Sequence, residues 1–206
     1  MFCEKLRAFS TNCHARQYNC FMIREIVLYG DPVLRVKCPP LTEITPELHA
    51  LAADMVETME AAEGVGLAAP QIGETLRLAV IDVSGAEHPC TFLKVDGEAA
   101  NLADYMPLKF TNPELSMGKA KAVMNEGCLS FPDVRTEIRR GDLVKAKLTL
   151  LDGRTILLET DGLLSRAIQH ETDHLNGILF IDRATPAAKL SLKKKIHKMW
   201  EEYAAE

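Results

Sequence analysis

Gln169-His170-Glu171-Thr172-Asp173-His174 is the stretch from which the rest of the chain can be read. His170 and His174 are four residues apart, so on an α-helix their imidazoles leave the same face. A divalent metal can take one nitrogen from each, and Glu171 then stands beside the ion, placed to handle a proton on water. Two imidazoles are an incomplete ligand set. The pattern therefore asks for a third ligand, an oxyanion donor and a substrate groove elsewhere in the chain. Taken alone, it also fits a surface helix that carries histidines and a carboxylate by chance.

The flanks support a helix at this point. Asp161 stands where an N-cap is wanted, Leu164, Ile168 and Leu175 face a core, and Gly177 suits the left-handed position that ends a helix. Just upstream, Val144, Ala146, Leu148 and Leu150 alternate, Asp152-Gly153 turns the chain, and Ile156 and Leu158 resume the pattern, which predicts a β-hairpin. Residues 76–83 are apolar and β-branched, a predicted buried strand. Residues 108–111 predict another, ended by Asn112-Pro113, and residues 134–138 a third. Residues 23–29 read as a short strand or extended segment, residues 84–106 as a loop with a turn at Asp96-Gly97, and residues 178–181 as a brief strand.

Thr45-Pro46 and Thr185-Pro186 each place a hydroxyl before a proline, the signature of a helix start. Leu48, Leu51, Ala52, Met55 and Met59 follow the first at helical spacing; Leu192, Ile196, Met199 and Tyr203 follow the second. The expected fold is α+β, with β-sheets around a central helix carrying the HExxH motif and a C-terminal helix packed outside.

Composition narrows the class. With 206 residues, 47% hydrophobic and 26% charged, the chain fits one globular domain. A net charge of −5 gives no long-range attraction to DNA. No apolar run approaches the ~20 residues needed to span a bilayer, so no membrane association is expected. Six cysteines occur without a paired framework, which suits a reducing compartment and a cytoplasmic protein. Residues 1–21 hold three of the six cysteines and a single acid, Glu4. They are read as a disordered or non-native leader rather than a targeting peptide, because arginine and serine are sparse. Residues 22–206 are then the catalytic domain.

The third ligand has several candidates. Asp173 points about 100° away from His174 around the helix, which disfavours it. Cys128, read as part of a Gly-Cys turn, gives a thiolate that completes a three-ligand catalytic set with two imidazoles; Glu126 is the carboxylate alternative, and a buried apolar thiol the plain reading of Cys128. Residues 64–71 are dense in small side chains, which lets a bound peptide lie close to backbone, and they lack a phosphate-binding pattern. Gln71 ends that run as a polar amide suited to a catalytic hydrogen bond or to a structural one.

Three motifs together resemble the peptide deformylases: Gly64-Val65-Gly66-Leu67-Ala68-Ala69-Pro70-Gln71, Glu126-Gly127-Cys128-Leu129-Ser130, and Gln169-His170-Glu171-Thr172-Asp173-His174-Leu175-Asn176-Gly177. Their order agrees with that family, and the resemblance spans residue 22 to about residue 203. It implies that Cys128, His170 and His174 hold the metal and that Glu171 is general base and then acid. It further implies that Gln71 and the Leu129 N–H stabilise an oxyanion, and that Val65, Gly66, Glu126, Gly127 and Arg135 bind the peptide and its methionine side chain. The implied reaction removes the N-terminal formyl group from formylmethionine of newly made proteins and releases formate.

The sulfur and nitrogen ligand set suits zinc, and iron(II) accepts it too. The resemblance implies Fe2+, with Zn2+ the alternative. It also raises a ribosome contact through Lys189, Lys193, Lys194, Lys195 and Lys198 of the C-terminal helix, against the ordinary reading of a solvated basic face. Two rivals remain. An HExxH zinc endopeptidase would need an extended cleft and a different third ligand. A catalytically inactive deformylase-like binding protein would be expected to lack Glu171 or a ligand.

Overall fold

Thr45 begins helix α1 (Pro46–Ala61) as its hydroxyl and the following proline predict: the Leu48 N–H donates to Thr45 Oγ1 at 3.4 Å. The predicted stripe of Leu48, Leu51, Ala52, Met55 and Met59 is buried, with Val56 added to it. A computed structural model describes residues 22–204, and α1 is the first of its long elements. The expectation for residues 1–21 lies outside the described residues.

The strands follow as β1 (Gly66–Ala68), β2 (Leu78–Ile81), β3 (Leu93–Val95), β4 (Glu98–Ala99), β5 (Leu108–Met117), β6 (Lys121–Cys128), β7 (Phe131–Gly141), β8 (Val144–Leu150) and β9 (Thr155–Thr160). Seven form one antiparallel sheet in the order β1-β2-β5-β8-β9-β3-β4, and β6 and β7 pair separately. The predicted hairpin is β8 and β9, in register from Val144 against Thr160 to Thr149 against Thr155.

Helix α2 (Gly162–Leu175) carries the HExxH motif between these two sheets, and every residue from Leu164 to Leu175 is buried. Leu164, Ile168 and Leu175 pack into one core with Phe110, Ala146, Leu148 and Leu158. At the end of α2, Gly177 has φ 69°, and a Cβ there would stand 2.4 Å from the Arg35 carbonyl oxygen. Helix α3 (Pro186–Ala204) starts with the Ala188 N–H donating to Thr185 Oγ1 at 3.2 Å. Its Leu192, Ile196 and Met199 rest on the cluster of Phe131, Ile138 and Phe180; the Tyr203 side chain lies outside the described set. No helix of the described residues is long and apolar enough to cross a membrane.

Five local expectations are corrected. Residues 84–106 are not all loop, because β3 and β4 flank the Asp96-Gly97 turn; both strands are too short to show a period. β5 does not stop at Asn112-Pro113. Asn112 takes φ 49° and the register shifts between Thr111 and Glu114, a bulge that carries the proline through. The Asn112 amide holds that bend, accepting the Leu41 N–H at 2.8 Å and donating to the Leu41 carbonyl at 2.7 Å. Cys128 ends strand β6 rather than sitting in a turn, and Leu129-Ser130 make the turn. Residues 178–181 form no strand; Phe180–Arg183 is a 3-10 helix, with the Asp182 carboxylate accepting the Leu179 N–H at 2.9 Å. Asp161 stands at the N-cap of α2, yet its carboxylate accepts the Thr91 N–H at 2.7 Å instead of a helical one. Residues 23–29 are the extended segment foreseen, tied by the Val27 N–H to the Gln71 carbonyl at 2.8 Å and the Tyr29 N–H to that of Ser130 at 2.9 Å.

Candidate active site

One turn of α2 and the end of β6 meet at the motif. The ligand atoms of Cys128, His170 and His174 all lie within 4.8 Å of one another, and Cys128 Sγ is 3.3 Å from His174 Nε2. His174 Nδ1 and Glu171 Oε2 are buried with no hydrogen-bond partner among the described residues. Polar atoms in such a position ordinarily have partners, so the donor set fits a bound cation.

Glu126 fixes the first histidine. Its Oε2 is 3.1 Å from His170 Nδ1, which leaves the other ring nitrogen for an ion. Arg140, on β7, grips the same carboxylate with two bonds, Nε to Oε1 at 2.7 Å and Nη2 to Oε2 at 3.0 Å, and Arg166 adds another from α2. Arg140 Nη1 also reaches Asp173 Oδ2 at 2.6 Å, and Arg183 closes on Asp173 from the far side. Asp173 is thus committed to arginines.

These contacts set the charges. Burial works against the Glu126 carboxylate, but hydrogen bonds from His170 and Arg140, with the Arg140 charge, bring it down to about 2. Burial raises Glu171 to about 7, with the charges of His170 and Arg140 only partly opposing. Burial would lower His170 too, yet bonds to Cys128 and Glu126 lift it to about 10. His174 goes the other way, well below its ordinary value, from burial and then the charge of His170. Cys128 and the ionised Glu126 carboxylate thus favour positive charge on His170, and that charge disfavours a second one on His174.

The small-residue run supplies the opposite wall. Gln71 sits on the 3-10 helix Ala69–Ile72, and its Oε1 accepts the Ala68 N–H at 2.8 Å. That bond turns the amide nitrogen inward, 3.4 Å from Cys128 Sγ and 3.4 Å from Ser130 Oγ. Leu129 opens the turn directly after the thiol. Gly66 has no room for a side chain: a Cβ there would lie 2.3 Å from Glu171 Oε1.

A groove of about 630 Å3 runs past the site. Val65, Gly66, Gly127 and Arg135 line it, together with Gln71, Leu129, His170 and Glu171. Glu126 also borders the groove, but both of its carboxylate oxygens are taken by Arg140, Arg166 and His170. The sequence reading missed Arg140, Arg166, Arg183 and the lining residues Met124, Leu163 and Ala167. Arg166 had a signal, standing four residues before His170 on the same face of α2. Arg140 had none: the β6–β7 register sets it opposite Ala122, and its long side chain reaches Glu126, opposite Thr136, along one face of the strand pair.

Comparison with known proteins identifies the family. The family model described as Polypeptide deformylase matches residues 23–190. A peptide deformylase of Methylacidiphilum infernorum is 46% identical over 178 residues, 86% of this chain and 93% of that one. The crystal structure of the Thermotoga maritima peptide deformylase superposes with a TM-score of 0.67 at 37% identity, covering 80% of this chain and 99% of that chain. A Synechococcus elongatus peptide deformylase, solved in complex with actinonin, gives 0.69 at 36% identity, covering 84% and 87%. By its motifs, its fold and these likenesses, the chain belongs to the polypeptide deformylase family.

Proposed function

We propose that Cys128, His170, His174, Glu171, Gln71 and Leu129 carry out hydrolysis of the formyl group at the N-terminus of formylmethionyl peptides, releasing formate and a free amine. The chain is a metal-dependent hydrolase of the peptide deformylase kind. The observation that carries the assignment is the convergence of a thiol, two imidazoles, a buried carboxylate raised to about 7 and an inward amide N–H on one groove.

Cys128, His170 and His174 would hold the metal, which when bound supplies Lewis-acid activation of water and of the formyl carbonyl. Glu171 takes the proton as the water oxygen adds to the formyl carbon, then gives it to the amine nitrogen as the C–N bond breaks. Gln71 Nε2 and the Leu129 N–H donate to the oxygen that gains negative charge, a contribution of about 3–4 kcal/mol for one such donor. Val65, Gly66, Gly127 and Arg135 contact the peptide, and Glu126 acts chiefly by holding His170. A formyl group carries only hydrogen on its carbonyl carbon, where other acyl groups have carbon, so a narrow site can admit it and exclude bulkier acyl groups by shape.

Within this reading the native metal is Fe2+, with Zn2+ able to occupy the same ligands. Residues 22–206 are the catalytic domain, and the protein works in the cytoplasm on nascent chains. Contact of the basic α3 with the ribosome rests on the local charge of Lys189, Lys193, Lys194, Lys195 and Lys198. Two of these are also used internally, Lys189 toward the Asp182 carbonyl and Lys195 toward that of Asp133. Unchanged ribosome co-sedimentation after deletion of residues 189–206 would remove that part.

The test of activity is formate release from formyl-Met-Ala by protein loaded anaerobically with iron, or with nickel, beside Glu171→Ala. Release by the wild type and loss in the variant are expected. No release at full metal occupancy overturns the activity; equal rates overturn the role of Glu171.

A further inference from the structure

Behind α2 lies a second cavity, of about 310 Å3, that the reaction does not use. Gln169, Thr172, Asp173 and Asn176 face it, spaced as one helical stripe and distinct from the face that carries His170 and Glu171. Its charge is one-sided. Lys121, Arg139, Arg140 and Arg183 line it against a single carboxylate, Asp173, which Arg140 and Arg183 already hold. Lys121 and Arg139 form no ion pair among the described residues. On the wall, Thr172 is 6% exposed and its Oγ1 is buried without a hydrogen-bond partner. The remaining side is apolar, made by Pro113, Leu115 and Met117 of β5 and by Ile178.

We propose that this cavity is a second ligand site, for a small organic carboxylate whose short apolar tail lies along Leu115 and Met117. Unpaired cations select an anion, and the planar fork of Arg139 matches a carboxylate with two parallel bonds. A bare inorganic anion would leave the apolar wall unused, and the volume suits a ligand of several carbons. A cation is disfavoured because the one acid present is already paired. Arg183 borders the site while bonded to Asp173, which shares Arg140 with Glu126, so an occupant touches the arginine chain that ends at His170.

The experiment is amide chemical-shift titration of the zinc-loaded full chain with hexanoate, inorganic phosphate and hexylammonium. Hexanoate is expected to shift Gly141, Thr172, Asn176 and Ile178 in a saturable way. The double variant Lys121→Gln with Arg139→Gln should weaken that binding about ten-fold or more. Its turnover of formyl-Met-Ala should stay within about two-fold of wild type. Shifts centred on Gly66 and Leu129 would place the ligand in the metal groove and overturn the proposal. Unchanged affinity in the double variant, or equal binding of hexylammonium, would overturn it as well. Phosphate binding as tightly as hexanoate would overturn the apolar tail.

Discussion

Gly66 shows how far a single residue can be constrained by its neighbour's chemistry. A methyl group there would strike the Glu171 carboxylate at 2.3 Å, so Gly66→Ala must displace that carboxylate. We expect kcat to fall about 100-fold, as for a misplaced reacting group, with little change in Tm; a variant near wild-type activity would show that Glu171 does not need that position. Gln71 separates two roles on one side chain, since Oε1 caps the Ala68 N–H and Nε2 faces the thiol. Gln71→Glu keeps the acceptor and removes the donor. It should lower kcat by about 10²–10³ if the amide stabilises the oxyanion, and it should also lower the Tm, because it buries a carboxylate at a position only 1% exposed. Gln71 was legible as a candidate from its place after an apolar run, but which end of the amide faces the site is decided by the Ala68 bond.

At the scale of elements, the 3-10 helix Phe180–Arg183 replaces an expected strand because Asp182 folds back on the Leu179 N–H and meets Arg35. Burial opposes ionisation of Asp182, yet the Arg35 hydrogen bond, the Leu179 bond and the Arg35 charge lower its pKa below the ordinary 3.8. A carboxylate depressed in the folded state stabilises above its unfolded pKa and loses that contribution as pH falls through the folded value. The Tm gap between wild type and Asp182→Asn should thus be full near neutrality and shrink in acid. A gap constant from neutral to strongly acidic solution would contradict this. Thr45 offers a simpler case: Thr45→Ala should cost about 1 kcal/mol in chemical denaturation through loss of the α1 cap. Elements with a long period, α1, α2 and the β8–β9 hairpin, were legible in the sequence. Short β3 and β4, and a β5 bent by Asn112, were not, because a few residues show no period and a bulge hides one.

For the whole molecule, Phe131 joins parts distant in sequence. Its ring lies 4.8 Å from that of Tyr29 and 5.2 Å from that of Phe180, while the Ile196 and Met199 side chains of α3 cover the same cluster. Phe131→Ala should destabilise by about 3–5 kcal/mol, measured by denaturation, since it opens a cavity where the extended segment, β7 and α3 meet. The sequence by itself determined the histidine stripe of α2, because the spacing of His170 and His174 is a local property of a helix. Its three motifs also pointed to the family before any geometry. The tertiary structure decided what surrounds that stripe. Arg140 is 30 residues from His170 in number, yet it reaches Glu126 and Asp173 only through the pairing of β6 with β7 and the packing of both on α2. The same packing forms the cationic cavity behind the helix. Side chains that meet across a fold carry no periodic mark in the chain, so only the assembled sheets and helix reveal them.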